Sequence, residues 1–155
     1  MPLDLRAEPL TPDAFAPFGA VIAPRAETAR RINAGFATRF HALAEVTAEG
    51  APPVLSIFRA RPRPPVIALL ERHRRGSQAF MPLGGRPWLT VVAPGPTAPL
   101  RAFLCGPAHG VQIAAGVWHA PLITLAAQDF LVIDRDRPED DLEEVRRDPP
   151  VVVSV

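Results

Sequence analysis

Glu71-Arg72-His73-Arg74-Arg75-Gly76-Ser77-Gln78-Ala79-Phe80 decides how this chain is read, together with Gly116-Val117-Trp118-His119 further on. Val66-Ile67-Ala68-Leu69-Leu70 before the first stretch is a short apolar run of β type, and Phe80-Met81-Pro82-Leu83 leads to another. Between them Arg74-Arg75-Gly76 reads as a hairpin-like turn, its glycine free to take the positive φ such turns use. Alternation along a strand puts Glu71 and His73 on one face, with Leu70 and Arg72 on the other. A carboxylate and an imidazole on one β wall, with Gln78 across the turn, are therefore expected to converge on one spot.

Outward from that stretch the same texture repeats. Short apolar runs fall at residues 20–23, 54–59, 66–73, 78–83, 88–93, 100–104, 111–113, 122–125 and 130–134, with Pro and Gly between them. Strand pieces around a glycine bend are expected over 32–43. Pro9-Leu10-Thr11-Pro12-Asp13 reads as a helix start, with Thr11 as N-cap, Pro12 in the first turn and Gly19 as the stop. The chain contains 20 Pro, which argues against long helices. The expectation is a mainly β single domain over residues 1–155, an antiparallel barrel or double-sheet jelly roll with one or two short helices. Residues 136–148 are acidic with scattered Arg and read as a solvated tail, with a helical turn or two within 139–147.

Charge and composition remove several function classes. A net charge of +1 offers no electrostatic case for nucleic acid or a membrane surface. No apolar run reaches the length of a transmembrane helix, and the N-terminus lacks a basic segment followed by an apolar one, so secretion is not expected. The lone Cys105 cannot form an internal disulfide and suits a reducing cytoplasm; with no activating neighbour it is expected to be inert. All 17 basic residues are Arg, and Tyr is absent. Lysine Schiff bases and tyrosine acids are thereby excluded. Acid–base chemistry falls to His, Asp, Glu, Cys, a metal-bound water or the substrate, and an anion would be held by planar, bidentate guanidinium groups.

Glu71, His73, Gln78 and His119 offer one carboxylate, two imidazoles and one amide, a set suited to a borderline divalent ion such as Ni, Mn, Fe or Zn. Their order resembles the two motifs of the cupin family. Glu71-x-His73, Gln78 and Gly85 fall at the offsets of the first motif, and Gly116-x-x-His119 matches the end of the second. Glu71 replaces the usual first histidine and Gln78 the usual glutamate, so any metal is expected to be weakly held. The plainer alternative makes His73 and His119 hydrogen-bonded wall residues. Arg39 and Arg59 read equally as clamps on a carboxylate or as surface ion pairs, whereas Arg72 points away from His73. Trp88 and Trp118 read as packing anchors, His109 as an exposed turn residue, and Asp134 as a buried acid paired with an Arg.

Over nearly the whole chain the sequence is similar to the ureidoglycolate lyase family, the cupin-type enzymes of allantoin breakdown. The resemblance is carried by Leu70-Glu-Arg-His73 with Gly76-Ser-Gln-Ala-Phe80, Trp118-His119-x-Pro121-Leu122, Ile32-Asn33 with Gly35, Arg39-Phe40-His41, Ile57-Phe-Arg59 and Asp129-Phe-Leu-Val-Ile-Asp134-Arg135. It implies a homodimeric cupin barrel that converts (S)-ureidoglycolate to glyoxylate and urea. In that reading His119 and His73 act as base or ligand, and Arg39, Arg59, Asn33, His41 and Gln78 contact substrate. Three departures stand out: Ala120 replaces a second histidine after His119, Ala34 a second Asn, and Ala42 an Asp. Each is read as a polar group lost near a pocket mouth. They keep open a second reading, a cupin that binds or senses a small carboxylate without catalysis. A third, an amidohydrolase releasing ammonia, differs only in the bond broken.

Overall fold

The computed structural model describes residues 2–155. Its strands, in chain order, begin with β1 (Leu3–Arg6), β2 (Glu8–Pro9), β3 (Gly19–Ile22), β4 (Ala29–Ile32) and β5 (Ala37–Phe40). Then come β6 (Pro53–Ala60), β7 (Val66–His73), β8 (Gln78–Pro82), β9 (Trp88–Ala93) and β10 (Arg101–Cys105). The last five are β11 (Gly110–Ile113), β12 (Trp118–His119), β13 (Ile123–Thr124), β14 (Gln128–Arg135) and β15 (Leu142–Ser154). The one α-helix among the described residues, α1 (Pro12–Phe15), starts as its sequence dictates. Thr11 Oγ1 accepts from the Ala14 backbone N–H at 3.1 Å, and Pro12 occupies the first turn, where no donor is needed.

The strands form an eight-stranded sheet ordered β1-β15-β7-β12-β9-β10-β2, with β13 paired to β9, and a five-stranded sheet ordered β3-β11-β8-β14-β6. Strands β4 and β5 stand apart as a two-stranded arm. The barrel-like, mainly β architecture is the one expected. Its main core lies between the two sheets, where Phe15, Phe103, Trp88 and Phe130 are fully buried. Phe15 meets Phe103 edge-on at 5.3 Å and Trp88 meets Phe130 at 5.2 Å, geometries that aromatic quadrupoles favour. A second apolar layer with Ile67, Leu70, Leu89, Trp118 and Ala120 packs with Leu5 and Val145 of β1 and β15. Both tryptophans are packing residues, as read.

Two expectations need correction. Strands β7 and β8 are not a hairpin: β7 pairs with β12 and β15, and β8 pairs with β11 and β14. The chain crosses from one sheet to the other at Arg74–Ser77. Gly76 does not serve there through a positive φ; a Cβ on it would lie 2.7 Å from Cβ of Arg135, so only glycine allows the approach. The second correction concerns the acidic tail: after a single 3-10 turn at Pro138–Asp140, the part from Leu142 on is strand β15, antiparallel to β7 and parallel to β1. Its charges hid the alternation because Arg72 of β7 and Arg74 just beyond it answer them: Arg72 Nη2 lies 2.8 Å and Arg74 Nε 2.9 Å from the Glu143 carboxylate. Further along, Val151 and Val153 supply the buried face.

Candidate active site

Glu71 and His119 are register partners on neighbouring strands, and His73 follows Glu71 by one alternation, so all three side chains leave the same face. Their ligand atoms lie within 4.8 Å of one another. Each imidazole is held through Nδ1. His119 Nδ1 donates to the Val117 carbonyl at 3.0 Å, and His73 Nδ1 donates to Asp141 Oδ1 at 3.2 Å. A carbonyl and a carboxylate only accept, so each ring carries a proton on Nδ1, and in the neutral ring it is Nε2 that presents the lone pair. His119 is 2% exposed, and its Nε2 has no hydrogen-bond partner. At 3.6 Å from Nε2, Glu71 Oε1 is beyond hydrogen-bond length, and the contact is electrostatic. Gly116, at φ +84°, opens the turn before β12, and its N–H donates to the His73 carbonyl at 2.7 Å, tying the two motif stretches together.

The five-stranded sheet supplies the facing wall. Gln78 and Asp134 are cross-strand partners; Gln78 Nε2 donates to Asp134 Oδ2 at 3.0 Å, and Gln78 Oε1 is buried without a partner. Burial pushes the Asp134 carboxyl above its ordinary range, against the Gln78 hydrogen bond and the charge of His73, with Asp136 and Asp141 adding to the rise. For Glu71 burial also acts upward, but contact with His119 and the charges of His119 and His73 outweigh it and hold the carboxyl below its ordinary range. Behind His73, Asp141 is 5% exposed, also accepts from the Arg75 backbone N–H at 3.1 Å and lies 3.9 Å from Arg135 Nη1.

The expected convergence of Glu71, His73 and His119 is present, with Gln78 opposite, next to an Asp134 that feels His73. Asp134 pairs with Gln78 and not with an arginine. Other expected substrate contacts are placed elsewhere. Arg59 makes a double ion pair with Asp129 at 3.0 and 3.2 Å, and its side chain is 85% exposed. Asp129 is five residues along β14 from Asp134, roughly 17 Å at the usual strand rise, so Arg59 does not reach the site of its own chain. Asn33, Arg39 and His41 belong to the β4–β5 arm. Phe40 and Ala42 line a hollow with Ile22, Ala79, Gln112 and Ile133, residues that alternate with the inward-facing Gln78, Val111 and Val132. The arm thus rests on the outer face of the smaller sheet. Arg39 faces Arg30 across it, and the Arg30 charge, then burial, then Arg39 lower the His41 pKa.

The three departures also find a physical reading here. Ala34 has φ +55° and Ala42 φ +53°, beside Asn33 at φ +53°. Asn and Asp are the non-glycine residues that tolerate this left-handed region, so a polar residue there answers a backbone need. Ala120 is buried in the outer apolar layer, one residue out of phase with His119, and faces away from the site. Within one chain, none of the three stands beside Glu71, His73 and His119. Conversely, Asp141 was missed: in Asp140-Asp141-Leu142-Glu143-Glu144 nothing local separates the buried acid from its exposed neighbours.

Comparison with known proteins places the whole chain. The family model described as ureidoglycolate lyase matches residues 2–154. The chain is 46% identical over 158 residues to "Ureidoglycolate lyase 1" of Rhizobium meliloti (strain 1021), covering 96% of this chain and 92% of that one. It is 45% identical over 161 residues to "Ureidoglycolate lyase" of Rhizobium etli (strain CIAT 652), covering 99% and 97%. Against the protein of that name from Pseudomonas syringae pv. tomato identity is 51% over 142 residues, covering 84% and 82%. Matched by the family model over residues 2–154 and by relatives of this name at 45–51% identity over most of its length, this chain belongs to the ureidoglycolate lyase family.

Proposed function

We propose that the protein is a carbon–nitrogen lyase that splits (S)-ureidoglycolate into glyoxylate and urea. The observation that carries this reading is the pair of imidazoles whose Nδ1 atoms are tied down and whose Nε2 atoms are free beside Glu71, in a chain of this family. The substrate carries hydroxyl, carboxylate and ureido nitrogen on one carbon. One imidazole Nε2 removes the hydroxyl proton; the electron pair forms the carbonyl as the C–N bond breaks, and the departing nitrogen takes a proton from an imidazolium. An imidazole with an ordinary pKa of about 6.5 serves both transfers near neutral pH. His119, buried and unpartnered at Nε2, is assigned the base that takes the hydroxyl proton and, as the imidazolium so formed, returns it to the departing nitrogen, while His73, held by Asp141, presents its Nε2 lone pair to the substrate.

Glu71, His73 and His119 fit a divalent ion such as Ni or Mn: three donors lie within 4.8 Å, and one imidazole lone pair is buried without a partner. Such an ion would polarise the substrate hydroxyl and carboxylate oxygens. Hydrolysis of the urea carbonyl is less suited to these residues. Cys105 is fully buried, burial pushes its thiol pKa far up against a Thr90 backbone hydrogen bond, and the Ser77 hydroxyl donates to the Thr47 carbonyl.

The protein is further read as a homodimer in the cytoplasm, where its single buried thiol suits reducing conditions. The arm supports the dimer. Phe36 at its tip is 94% exposed and Ile32 40%, and the Arg30–Arg39 pair sets like charges opposite each other, an arrangement that calls for a covering surface. Arg39, His41 and Asn33 take a substrate role through a second copy. The deciding experiment quantifies glyoxylate, urea and ammonia in one reaction, for wild type and for His119→Ala. One urea per glyoxylate, no ammonia, and a large loss in His119→Ala are expected. Ammonia in step with glyoxylate would make the enzyme an amidohydrolase, and wild type that binds glyoxylate without turnover would make it an anion sensor.

A further inference from the structure

A buried side-chain amide has two chemically opposite ends, and its neighbours decide which faces a ligand. Gln78 is 5% exposed, and its Nε2 is bonded to Asp134 Oδ2 at 3.0 Å. A carboxylate accepts and does not donate, so Asp134 takes the NH2 end and turns the carbonyl end away. That carbonyl oxygen, Oε1, is buried and has no partner, whereas the Oε1 of buried Gln128 accepts from the Arg86 backbone N–H at 3.2 Å. The acceptor is reserved for something outside the chain. Asp134, bonded to the same amide and within the influence of His73, is a carboxyl group that disfavours an anion there.

Resting on the lyase reading above, we propose that Asp134 locks the Gln78 amide so that Oε1 accepts a hydrogen bond from the substrate's terminal urea NH2. Gln78 is then a specificity residue and Asp134 a positioning residue acting through it. Together they demand a ligand whose one end carries N–H donors, a ureido or carbamoyl group. The pairing also sets the direction of binding. The ureido end goes to β8 and β14, and the carboxylate end points away from Asp134.

The test compares wild type, Gln78→Met, Asp134→Asn and the double variant. Inhibition by the two products separates the two ends of the site, since urea carries the N–H donors and glyoxylate the carboxylate. Gln78→Met is expected to weaken urea inhibition about tenfold, the loss of one buried hydrogen bond, with glyoxylate inhibition changed less than about twofold. Asp134→Asn should weaken urea in the same direction, and the double variant should be no worse than Gln78→Met, because both act on one contact. A second readout needs no turnover: the Gln78 side-chain amide signals, observed by 15N NMR, should shift as millimolar urea is added. If the protein does not process ureidoglycolate, the lyase reading falls while this titration still decides the urea contact. Equal losses for urea and glyoxylate, additive losses in the double variant, or amide signals that answer added Ni or Mn but not urea would each overturn the proposal. Should Asp134→Asn fail to fold, Gln78→Met and the titration are sufficient.

Discussion

Asp141→Asn is the most informative single change, because it alters hydrogen-bond chemistry while keeping shape. In the native site Oδ1 accepts from His73 Nδ1 at 3.2 Å and Oδ2 from the Arg75 backbone N–H at 3.1 Å. Asparagine retains one acceptor and converts the other to a donor. The Arg75 backbone cannot exchange donor for acceptor, whereas an imidazole can change tautomer. The amide oxygen is therefore expected to stay with Arg75 and its NH2 to face His73, moving the ring proton to Nε2. That removes the lone pair from the site. Replacing charge-assisted hydrogen bonds by neutral ones should cost about 1–2 kcal/mol of stability. For a domain of this size that is a fall in Tm of about 2–8 °C. The activity loss should be far larger in proportion, about 10²-fold in kcat, as for other groups that orient a functional histidine. Asp141→Ala sharpens the contrast. It leaves two buried donors unpaired, about 1–3 kcal/mol each, but imposes no tautomer, so it should be less stable than Asp141→Asn and yet lose less kcat. Steady-state kinetics and thermal melts on the two variants check this. An Asp141→Asn enzyme within about threefold of wild-type kcat would refute the tautomer argument, as would kcat losses that simply follow the two melting temperatures.

If the arm completes a partner's site, Arg39→Ala and His119→Ala should each be nearly inactive alone, and mixing them should restore part of the activity; no recovery between exchanging subunits would place Arg39 in another role. Ala42→Gly should stabilise by about 0.5–1 kcal/mol, since relief of a left-handed alanine exceeds the entropy cost of glycine. The matched control, Ala16→Gly at φ −50°, should destabilise, so denaturant melts must show opposite signs. Arg59→Ala should leave kcat unchanged. Its Asp129 partner, held below the ordinary carboxylate range by the Arg59 hydrogen bond, contributes stability above pH about 4 that is lost as pH falls through the folded-state value; the variant's acid melt should lack that step. Cys105 should resist thiol reagents in the folded enzyme and react only on unfolding, because burial disfavours its thiolate.

What was legible in the sequence is what depends on a few neighbouring residues. Strand positions such as 66–73 and 88–93, the Thr11–Pro12 helix start and the shared face of Glu71 and His73 follow from alternation and backbone preference alone. The family motif added that His119 and Gln78 belong with them. Partnership was not legible. The stretch read as a hairpin crosses between two sheets, and the tail read as solvated is a strand whose charges are answered by β7. Asp141 reaches His73 from 68 positions away, and among adjacent acids only the packed fold selects it. The alanines at 34 and 42 read as lost pocket groups because a left-handed φ leaves no mark on an alanine. Arg59 and Arg39 carry the right charge for a clamp, but strand register and the arm's docking decide where that charge stands. Local sterics write the elements into the chain; which elements meet is a sum over distant contacts, and only the folded structure evaluates it.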